Sequence, residues 1–126
     1  MKSILLIEES TLLRMTSEHA LTAAGYRVLG IRDAGLGICV ARHEAPDLIL
    51  LDRISHGRED ELIRALKQDP ATERVPVVVL SGEKEAGTDC AVAYLDEWDR
   101  ELSTYPEAVV SAVQRVFGRR VAVAEA

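Results

Sequence analysis

Glu8 and Glu9 follow the apolar run ILLI, Asp52 closes the run LILL, and Ser81 follows VVVL. Each polar residue comes directly after a stretch suited to the dry interior of a sheet. An isolated carboxylate is costly to ionise in such an interior, so these groups belong where strands emerge into a polar cleft. Three carboxylates gathered in one cleft repel each other, and a raised pKa or a bound cation relieves the repulsion. Oxygen-only ligands suit Mg²⁺, which keeps several waters and accepts a phosphate oxygen as a further ligand. A hard cation neutralises charge on a phosphoryl group, a carboxylate such as Asp52 can act as the nucleophile, and the Ser81 hydroxyl can donate to a phosphoryl oxygen.

The elements that must deliver these residues are legible as an alternation. Apolar runs of strand length are separated by longer stretches of helical spacing, with no repeat, low-complexity block or Pro/Gly linker between them. ILLI (4–7) reads as the first strand. Ser10 or Thr11 caps the helix after it, which buries Leu13, Ala20, Leu21 and Ala24 and stops at Gly25. YRVLGI (26–31) is a second strand, followed by a helix over 34–44 weakened by Gly35 and Gly37. DLILLD (47–52) does not alternate, which suits a central parallel strand covered on both faces. A helix over 59–68 turns Leu62, Ile63 and Leu66 inward and ends at Asp69-Pro70, and VPVVVLSG (75–82) repeats the form of the third strand.

Beyond Ser81 the signal weakens, with at most a short helix before a fifth strand at 91–95. Ser103 or Thr104 starts a final helix with Pro106 in its first turn, Val109, Val110, Val113 and Val116 as its apolar side, and Gly118 as its end. The alternation predicts an α/β domain with a parallel sheet and helices on both faces. In such sheets ligands bind outside the carboxyl ends of the strands, where strand order reverses.

Composition narrows the function. The 126 residues are 48% hydrophobic and 29% charged, a globular balance, and the net charge of -6 argues against general attraction to nucleic acid or anionic membrane. No run approaches the roughly 18 apolar residues of a membrane span, and the opening residues do not form a signal peptide. Cys39 and Cys90 lack metal-ligand or disulfide spacing and read as reduced cytoplasmic thiols, Cys39 as a small core residue. His19, His43 and His56 are scattered and read as solvated surface positions. The bland reading of Glu8 and Glu9 is that they sit in the first turn of a helix and are stabilised by its dipole.

Taken in order and spacing, the Glu8-Glu9 pair, PDLILLD ending on Asp52, ELIRALKQD, VPVVVLSG with Ser81, and AYL at 93–95 resemble the response-regulator receiver domain, the type that includes single-domain chemotaxis regulators. The resemblance spans residues 2–118. It implies a single domain over 1–126 with a flavodoxin-like α/β/α sandwich and a five-stranded parallel sheet of order 2-1-3-4-5. It also implies a cytoplasmic signalling protein, not an enzyme, in which Asp52 accepts a phosphoryl group from a sensor histidine kinase or phosphotransfer protein. Glu8, Glu9, Asp52 and the backbone carbonyl of Ile54 would surround Mg²⁺. Ser81 and Tyr94 match the switch pair, and a downstream protein target would read the face of the fourth helix, fifth strand and fifth helix.

The chain departs from the family pattern at several places. The family's acidic pair usually contains Asp, and the lysine and proline expected after the fifth strand are Glu97 and Trp98 here. The stretch between Ser81 and Tyr94 is short, which predicts a shortened fourth helix, and the loop RISHGRED lacks the usual Met-Pro element. Lys84 and Arg53 are candidates to supply the missing cation. The expectation is an atypical stand-alone receiver; the alternative is a phosphorylation-independent pseudo-receiver acting as an interaction module. A small Mg²⁺-dependent phosphohydrolase ranks third, because Ile54 stands where such an enzyme needs a general acid.

Overall fold

The non-alternating run of 48–52 becomes the middle of the sheet, as its double-sided hydrophobicity requires. In the computed structural model, which describes residues 1–52, 58–79, 92–94 and 105–125, five strands form one sheet: β1 (Ser3–Glu8), β2 (Arg27–Ile31), β3 (Leu48–Asp52), β4 (Val77–Val79) and β5 (Val92–Tyr94). All pair in parallel, in the predicted order β2-β1-β3-β4-β5. The helices are α1 (Thr11–Ala23), α2 (Gly37–Glu44), α3 (Arg58–Gln68) and α4 (Tyr105–Glu125), with a 3₁₀ turn (Ala34–Leu36) leading into α2. The expected shortened helix between Ser81 and Tyr94 lies outside the described residues.

Strand alternation divides the interior in two. Leu48 and Leu50 of β3 join Ile4 and Leu6 of β1 in a core closed by α1 and α4. Ile49 and Leu51 join Leu5 and Ile7 in a second core closed by α2 and α3. These four β3 side chains are wholly buried, each worth roughly 1.5–3 kcal/mol relative to exposure. The two strands that carry Glu8 and Asp52 are thus packed on both faces.

The helices dock through the residues that spacing picked out, with three corrections. Ser10 caps α1, its Oγ accepting from the Leu13 N–H at 3.3 Å, and Gly25 stops it at φ 99°. The fully buried positions of α1 are Ser17 and Leu21, four residues apart; Ala24 is exposed because it falls past the last turn. Cys39 is exposed rather than in the core, since Gly37 and Ala41 form the inward face of α2 and position 39 lies on the opposite side. Gly118 does not end α4, which continues to Glu125. Among the described residues only Gly25 combines glycine with positive φ, and a helical glycine without that conformation costs only about 1 kcal/mol.

Side chains seal the amino edge of the sheet. Thr72 Oγ1 donates to the Leu66 carbonyl at 2.7 Å and Lys67 Nζ to the Val75 carbonyl at 2.8 Å, closing the α3–β4 connection. Phe117 of α4 stacks on Tyr26 with ring centroids 5.6 Å apart, and Lys2 Nζ lies 5.7 Å from the same phenyl ring. The carboxyl edge is left for chemistry.

Candidate functional site

The sheet sets two acidic positions side by side. β1 has β2 on one side and β3 on the other, so strand order reverses at the crevice between the carboxyl ends of β1 and β3. Ile7 pairs with Leu51, and one step further Glu8 pairs with Asp52. Both residues are the last of their strands. Leu51 is level with Val79 of β4 and Val79 with Tyr94, the last residue of β5. Glu8, Asp52 and Tyr94, far apart in the chain, thus reach one rim.

The turn between β1 and α1 is tied by its own side chains. Glu8 is 1% exposed, and its Oε1 accepts from the Ser10 N–H at 2.8 Å. Ser10 in turn caps α1 through Leu13. Arg14 reaches back over the turn: its Nη1 donates to the Glu8 carbonyl oxygen at 2.9 Å, and Nη2 stands 3.5 Å from Thr11 Oγ1. The first helical residue is Thr11, so neither acid lies in the first turn of α1, which contains no acidic residue. The helix dipole therefore does not account for Glu8 and Glu9. Glu9 instead lines a hollow of about 350 Å³ with Arg32, Asp33 and Ala34, beside the ends of β1 and β2.

The fold has parallels among known proteins. The fold matches that of the chemotaxis response regulator CheY4 of Vibrio cholerae with a TM-score of 0.76 at 22% identity, covering 92% of this chain and 98% of that one. The Mn(2+)-bound form of response regulator Rcp1 superimposes with a TM-score of 0.70 at 26% identity, over 88% of this chain and 91% of that one. In sequence the chain is 32% identical to protein PilH of Pseudomonas aeruginosa over 94 residues, 71% of this chain and 74% of PilH. The chain belongs to the response-regulator receiver family. It is also 34% identical over 85 residues to the phosphate regulon transcriptional regulatory protein PhoB of the same organism, but those residues span only 37% of PhoB. No protein-family model matches the chain.

The chain is thus a receiver domain of two-component signalling, with Glu8 and Asp52 paired at the ends of adjacent strands. Ser81, the Ile54 carbonyl, the candidate cations Arg53 and Lys84, and Glu97 and Trp98 all lie outside the described residues. The donors expected for a metal are all oxygens, which is the chemistry a hard divalent ion prefers. Among the described residues, however, no three His, Cys, Asp or Glu side chains gather tightly enough to hold an ion. Glu8 and Glu9 also divide their tasks, one closing its own turn and the other lining the hollow beside β2.

Arg14 is the residue that sequence reasoning missed. A cation near the start of a helix opposes the helix dipole by roughly 0.3–1 kcal/mol. Its hydrogen bond to a carbonyl, being charge-assisted, is worth roughly 1.5–3 kcal/mol. The bond outweighs the dipole. A basic residue in the opening turns of a helix that follows an acidic strand end was the available signal. No helix among the described residues is long and apolar enough to cross a membrane.

Proposed function

We propose that this receiver domain acts as an atypical signalling module in which Asp52 accepts a phosphoryl group. The observation that carries the reading is the pairing of Glu8 with Asp52 across the crevice where strand order reverses. A sensor histidine kinase or phosphotransfer protein is the donor, and a downstream protein is the target. A carboxylate oxygen of Asp52 attacks phosphorus as the bond from phosphorus to the donor imidazole nitrogen breaks. The electron pair leaves with the imidazole, which takes up a proton, and an acyl phosphate remains on Asp52. Ser81 and Tyr94 are the switch positions that respond to it. The module transmits a state to a protein partner and is not an enzyme with a substrate of its own; it works in the cytoplasm.

Glu8, Glu9, Asp52 and the Ile54 carbonyl would offer Mg²⁺ oxygens of the kind it prefers, and Rcp1, a structural neighbour, is described in a Mn(2+)-bound form. Such an ion would neutralise charge at the phosphoryl group. A second reading, a pseudo-receiver whose state is set by partner binding alone, is favoured by Glu97 and Trp98 standing where the family has lysine and proline.

Incubation with Mg²⁺ and acetyl phosphate, followed by intact mass measurement, separates the readings. The expected result is one phosphoryl adduct, absent in Asp52→Asn. A wild-type chain that gains no adduct favours the pseudo-receiver, and steady multiple turnover of phosphate ester would indicate a phosphohydrolase.

A further inference from the structure

We propose that Arg14 is a positioning residue for phosphoryl transfer at Asp52, acting through the end of β1. This inference rests on the reading of Asp52 as the acceptor. Along the β1–β2 ladder the Lys2 carbonyl accepts from the Arg27 N–H. Strand alternation aims the carbonyls of Ile4, Leu6 and Glu8 to the same side. β2 ends at Ile31, opposite Ile7, one step short of Glu8. At Glu8 the guanidinium of Arg14 takes the place that another backbone N–H of β2 would have had.

Glu8 is thereby held at two points. Its carbonyl oxygen is bound by Arg14 and its carboxylate by the Ser10 N–H, while its backbone sits in register with Asp52. The position of the acidic pair relative to the acceptor is set by this clamp as well as by the sheet. Gly30 eases the approach: a Cβ on that residue would lie 1.7 Å from Glu18 Oε1 and 3.2 Å from Arg14 Cγ, so the bare backbone of β2 leaves room for the α1 side chains that cross it. Satisfying a carbonyl at a partly exposed rim does not require a cation, since water can do so. What the guanidinium adds is a fixed geometry and a positive charge beside a group of acids that an anionic phosphodonor must approach.

The test compares the wild-type chain with Arg14→Gln, Arg14→Lys and Thr72→Ala, the last of which removes a buried hydrogen bond at the opposite edge of the sheet. For each, the rate of adduct formation with acetyl phosphate and Mg²⁺ is followed by intact mass, and the urea midpoint is measured in parallel. Arg14→Gln is expected to slow uptake at least roughly tenfold, as a misplacement of the reacting geometry would. Arg14→Lys recovers part of the rate through a single charged donor, and Thr72→Ala loses stability but keeps the wild-type rate. The proposal is overturned if Arg14→Gln reacts at the wild-type rate. It is equally overturned if rate and stability fall together along one line that includes Thr72→Ala. A wild-type chain that takes up no phosphoryl group removes the reading of Asp52 and this inference with it, an outcome distinct from a reactive wild type matched by Arg14→Gln.

Discussion

Gly37 stands where α2 lies close against the sheet. A Cβ there would lie 2.9 Å from Ile7 Cδ1 and 3.2 Å from Leu62 Cδ1. In an open helix the change from glycine to alanine gains about 1 kcal/mol. Here the methyl group meets two side chains of one closed core, Ile7 at 0% and Leu62 at 7% exposure, and overpacking costs roughly 1–3 kcal/mol. The steric cost wins because both neighbours are buried in that core, where a shift disturbs further contacts. Gly37→Ala is predicted to destabilise the domain by about 1 kcal/mol, seen as a lower urea midpoint with an unchanged slope. Gly30→Ala should cost less, because its nearest clash is with the end of the flexible Glu18 side chain.

At the scale of elements, Asp69 ties the α3–β4 connection to α2. Its carboxylate accepts from the Ala71 N–H at 2.9 Å and pairs with Arg42. The Ala71 bond first, and the Arg42 bond after it, hold its pKa below the usual carboxylate range. A lowered native pKa means that the stabilisation is fully present above the unfolded value of about 3.9 and is lost as pH falls through the native one. Asp69→Asn should therefore be less stable than wild type near neutral pH. The gap should close in acid, and urea midpoints of both chains down to about pH 3 check it. The elements themselves were legible to different degrees. β1 and β3 stood out because an unbroken apolar run closed by an acid has few other homes in an α/β domain, and the same feature exposed the Glu8–Asp52 pairing. Position 39 was misread because apolar neighbours on both sides hid which face of α2 turns inward. The end of α4 was misread because a glycine stops a helix through its backbone conformation, which composition does not reveal. Arg14 was overlooked because its partner is a backbone carbonyl, which the spacing of side-chain types does not show; only its place just after an acidic strand end pointed to it.

For the whole molecule, what matters is that the rim's acidic positions stand on buried strands in the interior of the sheet. Glu8 and Asp52 end β1 and β3, whose apolar side chains from Ile4 to Ile7 and Leu48 to Leu51 are at most 1% exposed. β2 lies at the edge, and its Leu29 is 41% exposed. A domain of this kind has a total stability of about 5–15 kcal/mol. Leu50→Ala leaves a cavity in the core under α1 and α4 and should cost roughly 3–4 kcal/mol, a large share of that total. Leu29→Ala removes a side chain that already meets water and should cost under about 1 kcal/mol. The two variants have the same chemistry and differ only in depth, so urea unfolding of both measures how steeply packing falls from centre to edge. Equal losses would mean that the edge strand is as tightly enclosed as the centre, and the acidic pair would then owe no special rigidity to its place in the sheet.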